Sequence, residues 1–167
     1  MNSQAWSKDN IGQRQNTPVQ NATQNITTIV LKNYIGIKNG YFNNNNVIKS
    51  ELLGATALSV AKTLGVANTT YTQIRAFFHA AKAIQRVYSS RGKFEQIVPN
   101  LERLIFLAAY YMGKGKDDWE RKKRENLKDF IDSNIFFAKE NPHNFKDGFI
   151  PHFEAVMGYF KWLYPKE

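Results

Sequence analysis

The chain has 167 residues, enough for one domain with a hydrophobic core and too few for two comfortable ones, and its 23 Lys and Arg against 14 Asp and Glu give a formal net charge of +9. The absence of cysteine excludes a disulfide framework and a thiolate metal site. So large a positive balance points to a polyanionic partner, either nucleic acid or an acidic membrane surface.

Residues 1–25 are rich in Asn, Gln, Ser and Thr and poor in large apolar groups, too little to offset the entropy of ordering. They also lack the apolar core of a signal peptide, and no window of the chain approaches 18 uninterrupted apolar residues, so a cytoplasmic protein without a membrane partner is expected. GYFNNNN (40–46) reads as a linker, and the sequence divides into a flexible N-terminal extension, 1–46, and a helical domain, 47–167.

From Val47 onward the punctuation is helical and no alternating strand pattern occurs. A first helix places Leu52, Leu53, Ala57, Val60, Ala61 and Leu64 at spacings of three and four, with Gly65 as its stop. Thr70 and Gln73 have the spacing of a capping box and open a second helix that ends near Gly92. Pro99 suits the first turn of a third, LERLIFLAAYYMG, which Gly113 and Gly115 terminate. Residues 116–139 make a fourth, with Leu127, Phe130, Ile131, Asn134, Phe137 and Ala138 on its inner side. After a loop, ENPHNFKDG, comes FIPHFEAVMGYFKWLY, apolar around most of its circumference. The expected fold is all-α, a compact bundle of about five helices.

The second helix carries the most informative pattern. Between Glu51 and Glu95 there is no acidic residue, while Lys62, Arg75, Lys82, Arg86, Arg91 and Lys93 are present. At about 100 degrees per residue, Arg75, His79, Lys82 and Arg86 share an arc of roughly 60 degrees, opposite Ile74, Phe77, Ala81, Ile84 and Tyr88. Cations at such intervals on a rigid element suit a phosphate backbone, because each neutralised phosphate releases counterions. Phe78, beside this stripe, is a candidate for base contact, and Lys114 and Lys116 are candidates to reach a phosphate.

The fourth helix differs. Asp117, Asp118 and Glu120 precede Arg121, Lys122 and Arg124 by four residues, the favoured orientation for intrahelical ion pairs, so its basic run is answered locally. In the last helix Phe149, Phe153, Val156, Tyr159, Phe160 and Trp162 are too many to enter one small core, and contact with a neighbouring copy or subunit is expected there. His79, His143 and His152 stand in no HxH or HExxH arrangement, and no nucleophile elbow or phosphate loop is present. No cofactor, no metal and no catalytic residue are expected.

The words TQIRAFFHAAKAIQR, LIFLAAYYMGKG and HFEAVMGYFKWL, in that order over roughly residues 48–164, resemble the small subunit of type III-A CRISPR-Cas effector complexes. The resemblance implies a non-catalytic, all-helical, RNA-binding subunit present in multiple copies, contacting guide RNA and target RNA beside other subunits of the complex, with base pairing supplying sequence choice. It places Arg75 and Lys82 on the family's first basic helix, Lys114 at the basic end of the middle motif, and Glu154 and Lys161 in the late motif. The chain departs from the pattern with Glu102 and Arg103 at the start of the middle helix and with Gly158. The RNA-binding residues expected are therefore Arg75, His79, Lys82, Arg86, Arg91, Lys93, Lys114 and Lys116, and the assembly residues Tyr159, Phe160, Lys161 and Trp162. A helical adaptor that offers its basic face to an acidic protein, and the small subunit of the related type III-B effector, remain alternatives.

Overall fold

A computed structural model describes residues 37–165, apart from the side chain of Arg91. The chain order is α1 (Ser50–Leu53), α2 (Ala55–Val66), α3 (Tyr71–Arg91), a 3-10 turn (Phe94–Gln96), α4 (Val98–Gly113), α5 (Asp118–Ala138), a π-helical turn (Asn144–Phe149) and α6 (Ile150–Leu163). Among the described residues no strand forms beyond one isolated bridge between Phe42 and Ile48. The expected all-α bundle is present. α4 packs chiefly on α5 and α2 on α6, while α3 lies against both α4 and α6.

Local chemistry explains most boundaries. At the start of α3 the Gln73 amide N–H donates to the Thr70 hydroxyl at 3.3 Å, and the Thr70 N–H donates to the Gln73 side chain at 2.8 Å, the reciprocal cap expected from the sequence. Gly92, at φ +72°, closes the helix with its N–H on the Tyr88 carbonyl. Asp117 caps α5 by accepting from the Glu120 N–H at 2.7 Å.

Three features differ from the expected elements. The first helix is broken at Gly54 into α1 and α2, and it does not stop at Gly65. Asn68 ends it instead, at φ +56°: its N–H meets the Gly65 carbonyl at 2.9 Å and the next N–H, of Thr69, meets Leu64 at 3.0 Å, the paired bonds of a Schellman turn. Gly65 serves a close approach, since a Cβ there would run into the Tyr164 ring. The expected loop before the last helix is largely a π-helical turn leading straight into α6. Pro151 supplies a cause, because it has no N–H for the carbonyl four residues back and its ring crowds that carbonyl.

The third difference moves a boundary. Tyr41 is buried, and its hydroxyl lies 3.0 Å from both the backbone and the side-chain oxygen of Asn134. Asn134 in turn donates to the Phe130 carbonyl at 2.8 Å, so the inner polar groups of α5 are satisfied by a segment read as linker. A Cβ at Gly148 would strike the Tyr41 ring, and Ile37 is also buried in the core. Residues 37–46 thus belong with the bundle, and the rest of the expected extension falls outside the described residues.

The core centres on Phe153, whose ring meets Phe130 at 5.1 Å, Phe78 at 5.4 Å and Phe149 at 5.6 Å between centroids. His152 is buried beside it, with Nδ1 on the Leu52 carbonyl at 2.6 Å, tying α6 to α1. Burial holds its imidazole below the ordinary value, against the opposing pull of that hydrogen bond. On α5, burial first and then Glu125 push the Asp129 carboxyl up to about 6, Lys128 opposing and Asp132 adding.

These two groups act on stability with opposite signs. A depressed imidazole means that the unfolded chain takes up its proton first, so the His152 contribution is lost as pH falls below the unfolded value of 6.5. The raised carboxyl takes up its proton first in the folded chain, so the Asp129 contribution is complete below 3.8 and is lost as pH rises through about 6. Urea melts from pH 7 to pH 4 are therefore expected to show a shallower acid decline for His152→Gln and a steeper one for Asp129→Asn than for the parent chain.

Candidate functional site

Rotation of α3 about its own axis is set by what it buries. Ile74, Phe77, Ala81 and Ile84 enter the core, as the periodicity requires. Phe78, expected beside the stripe as a base contact, is instead half-buried with its ring edge-on to Phe153, and so belongs to packing. With that side fixed inward, Arg75, His79 and Arg86 are exposed and Lys82 is partly so.

No carboxylate reaches Arg75, Lys82, Arg86 or Lys93 among the described residues, whose ion pairs lie elsewhere. The one polar contact within the stripe is Arg75 Nε donating to His79 Nε2 at 3.2 Å, which holds the guanidinium along the helix and uses His79 as an acceptor. Lys93 is exposed just beyond the helix. Arg91 ends α3, and its side chain lies outside the described residues.

α4 supplies a second bank. Between α3 and α4 run two shallow hollows, one of about 270 Å³ edged by Ala76, Phe77, Tyr110 and Lys114, the other of about 280 Å³ edged by Ala83, Val87, Leu107 and Arg103. Lys114 is exposed, its ammonium 4.6 Å from the centre of the Tyr110 ring. Lys116 is exposed beyond it, and its backbone N–H donates to Glu120 at 3.0 Å. Arg103, next to Glu102 where the chain departs from the family pattern, is not among the RNA-binding residues expected from the sequence. The structure pairs Glu102 with Lys139 at 2.6 Å, leaving Arg103 exposed on the groove without a carboxylate among the described residues. No sequence signal announces that pairing, since its partners are far apart in the chain.

Cations on α5 are answered nearby with some changes of partner, except Lys122, which is exposed and meets no carboxylate among the described residues because Asp118 pairs with Arg121. Arg124 meets Glu120 at 3.5 Å and Arg121 meets Asp118 at 3.6 Å, a spacing of three where four was expected, because Asp117 is engaged as the cap. Lys128 pairs with Asp132, Lys123 lies 3.3 Å from the Trp119 ring centre, and Arg124 also covers Tyr111.

On α6 the aromatic residues separate. Phe149, Phe153, Val156 and Phe160 enter the core while Tyr159 and Trp162 do not, in keeping with the expectation that the six are too many for one small core. Phe160 is therefore a packing residue and no assembly contact in this fold. Tyr159 and Trp162 line a shallow apolar groove of about 420 Å³ with Leu53, Ala155 and Gly158, and Trp162 remains 68% exposed. Lys161 donates to the Pro165 carbonyl at 2.9 Å and lies 5.1 Å from the Tyr71 ring centre.

A family model described as Csm2 Type III-A matches residues 48–166, most of the chain and all six helices. The chain belongs to this family. It is thus a small subunit of a type III-A CRISPR effector, and the resemblance drawn from the three sequence words holds. No match is found among curated proteins or among solved structures. Among the described residues no group of His, Asp or Glu is arranged to hold a metal, and no helix is long and apolar enough to cross a membrane.

The contrast between α3 and α5 has a measurable consequence whatever the anion. Arg86→Glu and Lys128→Glu change net charge equally, but only Arg86 stands on the open basic face. On a heparin column Arg86→Glu is expected to elute at clearly lower salt than Lys128→Glu, and coincident elution would show that net charge alone governs polyanion binding.

Proposed function

We propose that the α3–α4 face binds the ribose-phosphate backbone of guide and target RNA within the type III-A effector, with no catalytic step of its own. The observation that carries the reading is the set of cations on α3 that no carboxylate of the described fold answers. A-form RNA offers side chains little in its deep major groove, so contacts fall on phosphates and 2'-hydroxyls and are independent of sequence. Arg75, Lys82, Arg86 and Lys93 supply one bank of cations, with Arg103 and Lys114 across the trough; His79 positions Arg75, and Lys116 extends the charge past the end of α4. Arg91 is assigned to the same face from its sequence position alone.

The second element of the proposal is assembly. Tyr159 and Trp162 offer an apolar groove that the described residues leave open, suited to a neighbouring copy or another subunit of the complex. Lys161 steadies the end of α6 through Tyr71 and Pro165.

Two experiments test these assignments. With a fully paired RNA duplex, Arg75→Ala, Lys82→Ala and Arg86→Ala combined are expected to flatten the plot of log affinity against log salt by about two to three units of slope, while the thermal melt stays near that of the parent. An unchanged slope overturns the backbone reading in favour of a protein partner for the basic face. Separately, Trp162→Ala is expected to leave the melt intact and to reduce copurification with the other effector subunits. Full incorporation would remove the groove from the assembly surface.

A further inference from the structure

The basic trough does not account for Trp119. This indole is 65% exposed on the first turn of α5, although its sequence neighbours are charged and the core lies on the other side of the helix. It borders a notch of about 150 Å³ between the α2–α3 turn and the start of α5, shared with Asn68, Gln73, Tyr111, Lys123, Arg124 and Glu120, whose carboxylate is taken up by Arg124 and the Lys116 N–H. The notch differs in kind from the groove at Trp162, which is lined by apolar residues alone.

Its polar groups fall into two sets. Gln73 is spent on the cap of α3 and on a side-chain hydrogen bond to Tyr111, and Arg124 is spent on the Tyr111 carbonyl at 3.1 Å and on Glu120. These contacts fix the walls. Asn68 is different: the Schellman turn holds its backbone at φ +56°, and its exposed carboxamide has no partner among the described residues. The side chain that ends α2 thus stands at the mouth of the notch with a donor and an acceptor both available. Lys123 stacks its ammonium on the indole, and Lys116 lies at the same end of α5.

We propose that this notch takes a single unstacked nucleobase, which lies against the Trp119 indole while the Asn68 carboxamide reads its edge and Lys123 meets the adjoining phosphate. This rests on the assignment of the neighbouring face to RNA. A flat aromatic surface beside a cation and a free amide matches the three parts of an unpaired nucleotide: π-face, phosphate and hydrogen-bonding edge. A protein docking surface of this size would need a more apolar lining than these walls present. Paired bases in a duplex cannot enter, because both of their faces are already stacked.

The test compares a short single-stranded RNA with a blunt, fully paired duplex of the same sequence, using the full chain. Trp119→Ala is expected to weaken single-strand binding roughly tenfold or more and to leave duplex binding within about twofold, and Trp119→Phe to restore most of the loss. The salt slope is unchanged in both, since stacking releases no counterions. Asn68→Gly, which tolerates the positive φ and lacks the carboxamide, is expected to level the affinities for homopolymers of different bases. Equal losses on the two RNAs, no loss on either, or a parent chain that binds duplex and no single strand each overturn the proposal. So does a Trp119→Ala chain that binds RNA normally but fails to join the effector, which would make the indole a protein contact. Duplex binding that depends on Arg75, Lys82 and Arg86 stands or falls independently of all these outcomes.

Discussion

The orientation of α3 is settled by the ring cluster at Phe153. That ring touches α5 through Phe130 and α3 through Phe78, and it extends along α6 to Phe149. Phe78 would otherwise sit next to the cations. Its half-burial pulls one shoulder of α3 inward, while Ile74, Phe77, Ala81 and Ile84 hold the back. Turning the helix by one residue would carry Arg75 or Arg86 toward the interior without a carboxylate to meet it, at a cost of several kcal/mol for each buried unpaired charge. The apolar core therefore decides where the charge points, and no attraction between α3 and the rest of the chain is needed to place it.

Cation placement over the molecule follows from this. On α5 four of the five basic side chains have an answer within one helical turn, a carboxylate for Arg121, Arg124 and Lys128 and an indole for Lys123, and Lys122 is the exception among the described residues. Such pairs are worth little for stability at an exposed surface, of order a few tenths of a kcal/mol, but they lower the charge that α5 shows to an anion. α3 has no acid in its sequence and receives none from α4 or α6 at Arg75, Lys82 or Arg86. A similar number of cations thus produces a muted surface on α5, where acids match them, and an open one on α3, where none do.

What the sequence made legible was local. The Thr70 and Gln73 cap, the stop at Gly92, the Asp117 end of α5 and the apolar back of α3 all depend on residues within a few positions of one another, and all are present. What it hid was long-range or conformational. Nothing local marks Asn68 as a left-handed helix end, and Gly65 reads as a stop because the Tyr164 ring that needs its bare backbone is about a hundred residues away. Tyr41 reads as part of the linker with the asparagines that follow it, though its hydroxyl meets Asn134, 93 residues on. For the same reason Arg103 is not among the expected contacts: its neighbour in sequence, Glu102, belongs in space to Lys139.

Arg103 also changes the shape of the candidate surface. A single row of cations along one helix can follow one phosphate strand and little else, whereas Arg103 and Lys114 add cations at the hollows between α3 and α4, whose floor is mainly alanines and Leu107. Small side chains on that floor let a bulky polyanion approach closely, with Asn100 and Tyr110 among the polar groups it would meet there. A mainly apolar floor beside cations suits the proposed contact with a backbone, in an effector in which pairing between strands makes the choice. Past the end of the trough Asn68 and Trp119 line one notch, and there the exposed chemistry changes from phosphate-sized charges to a flat ring and an amide.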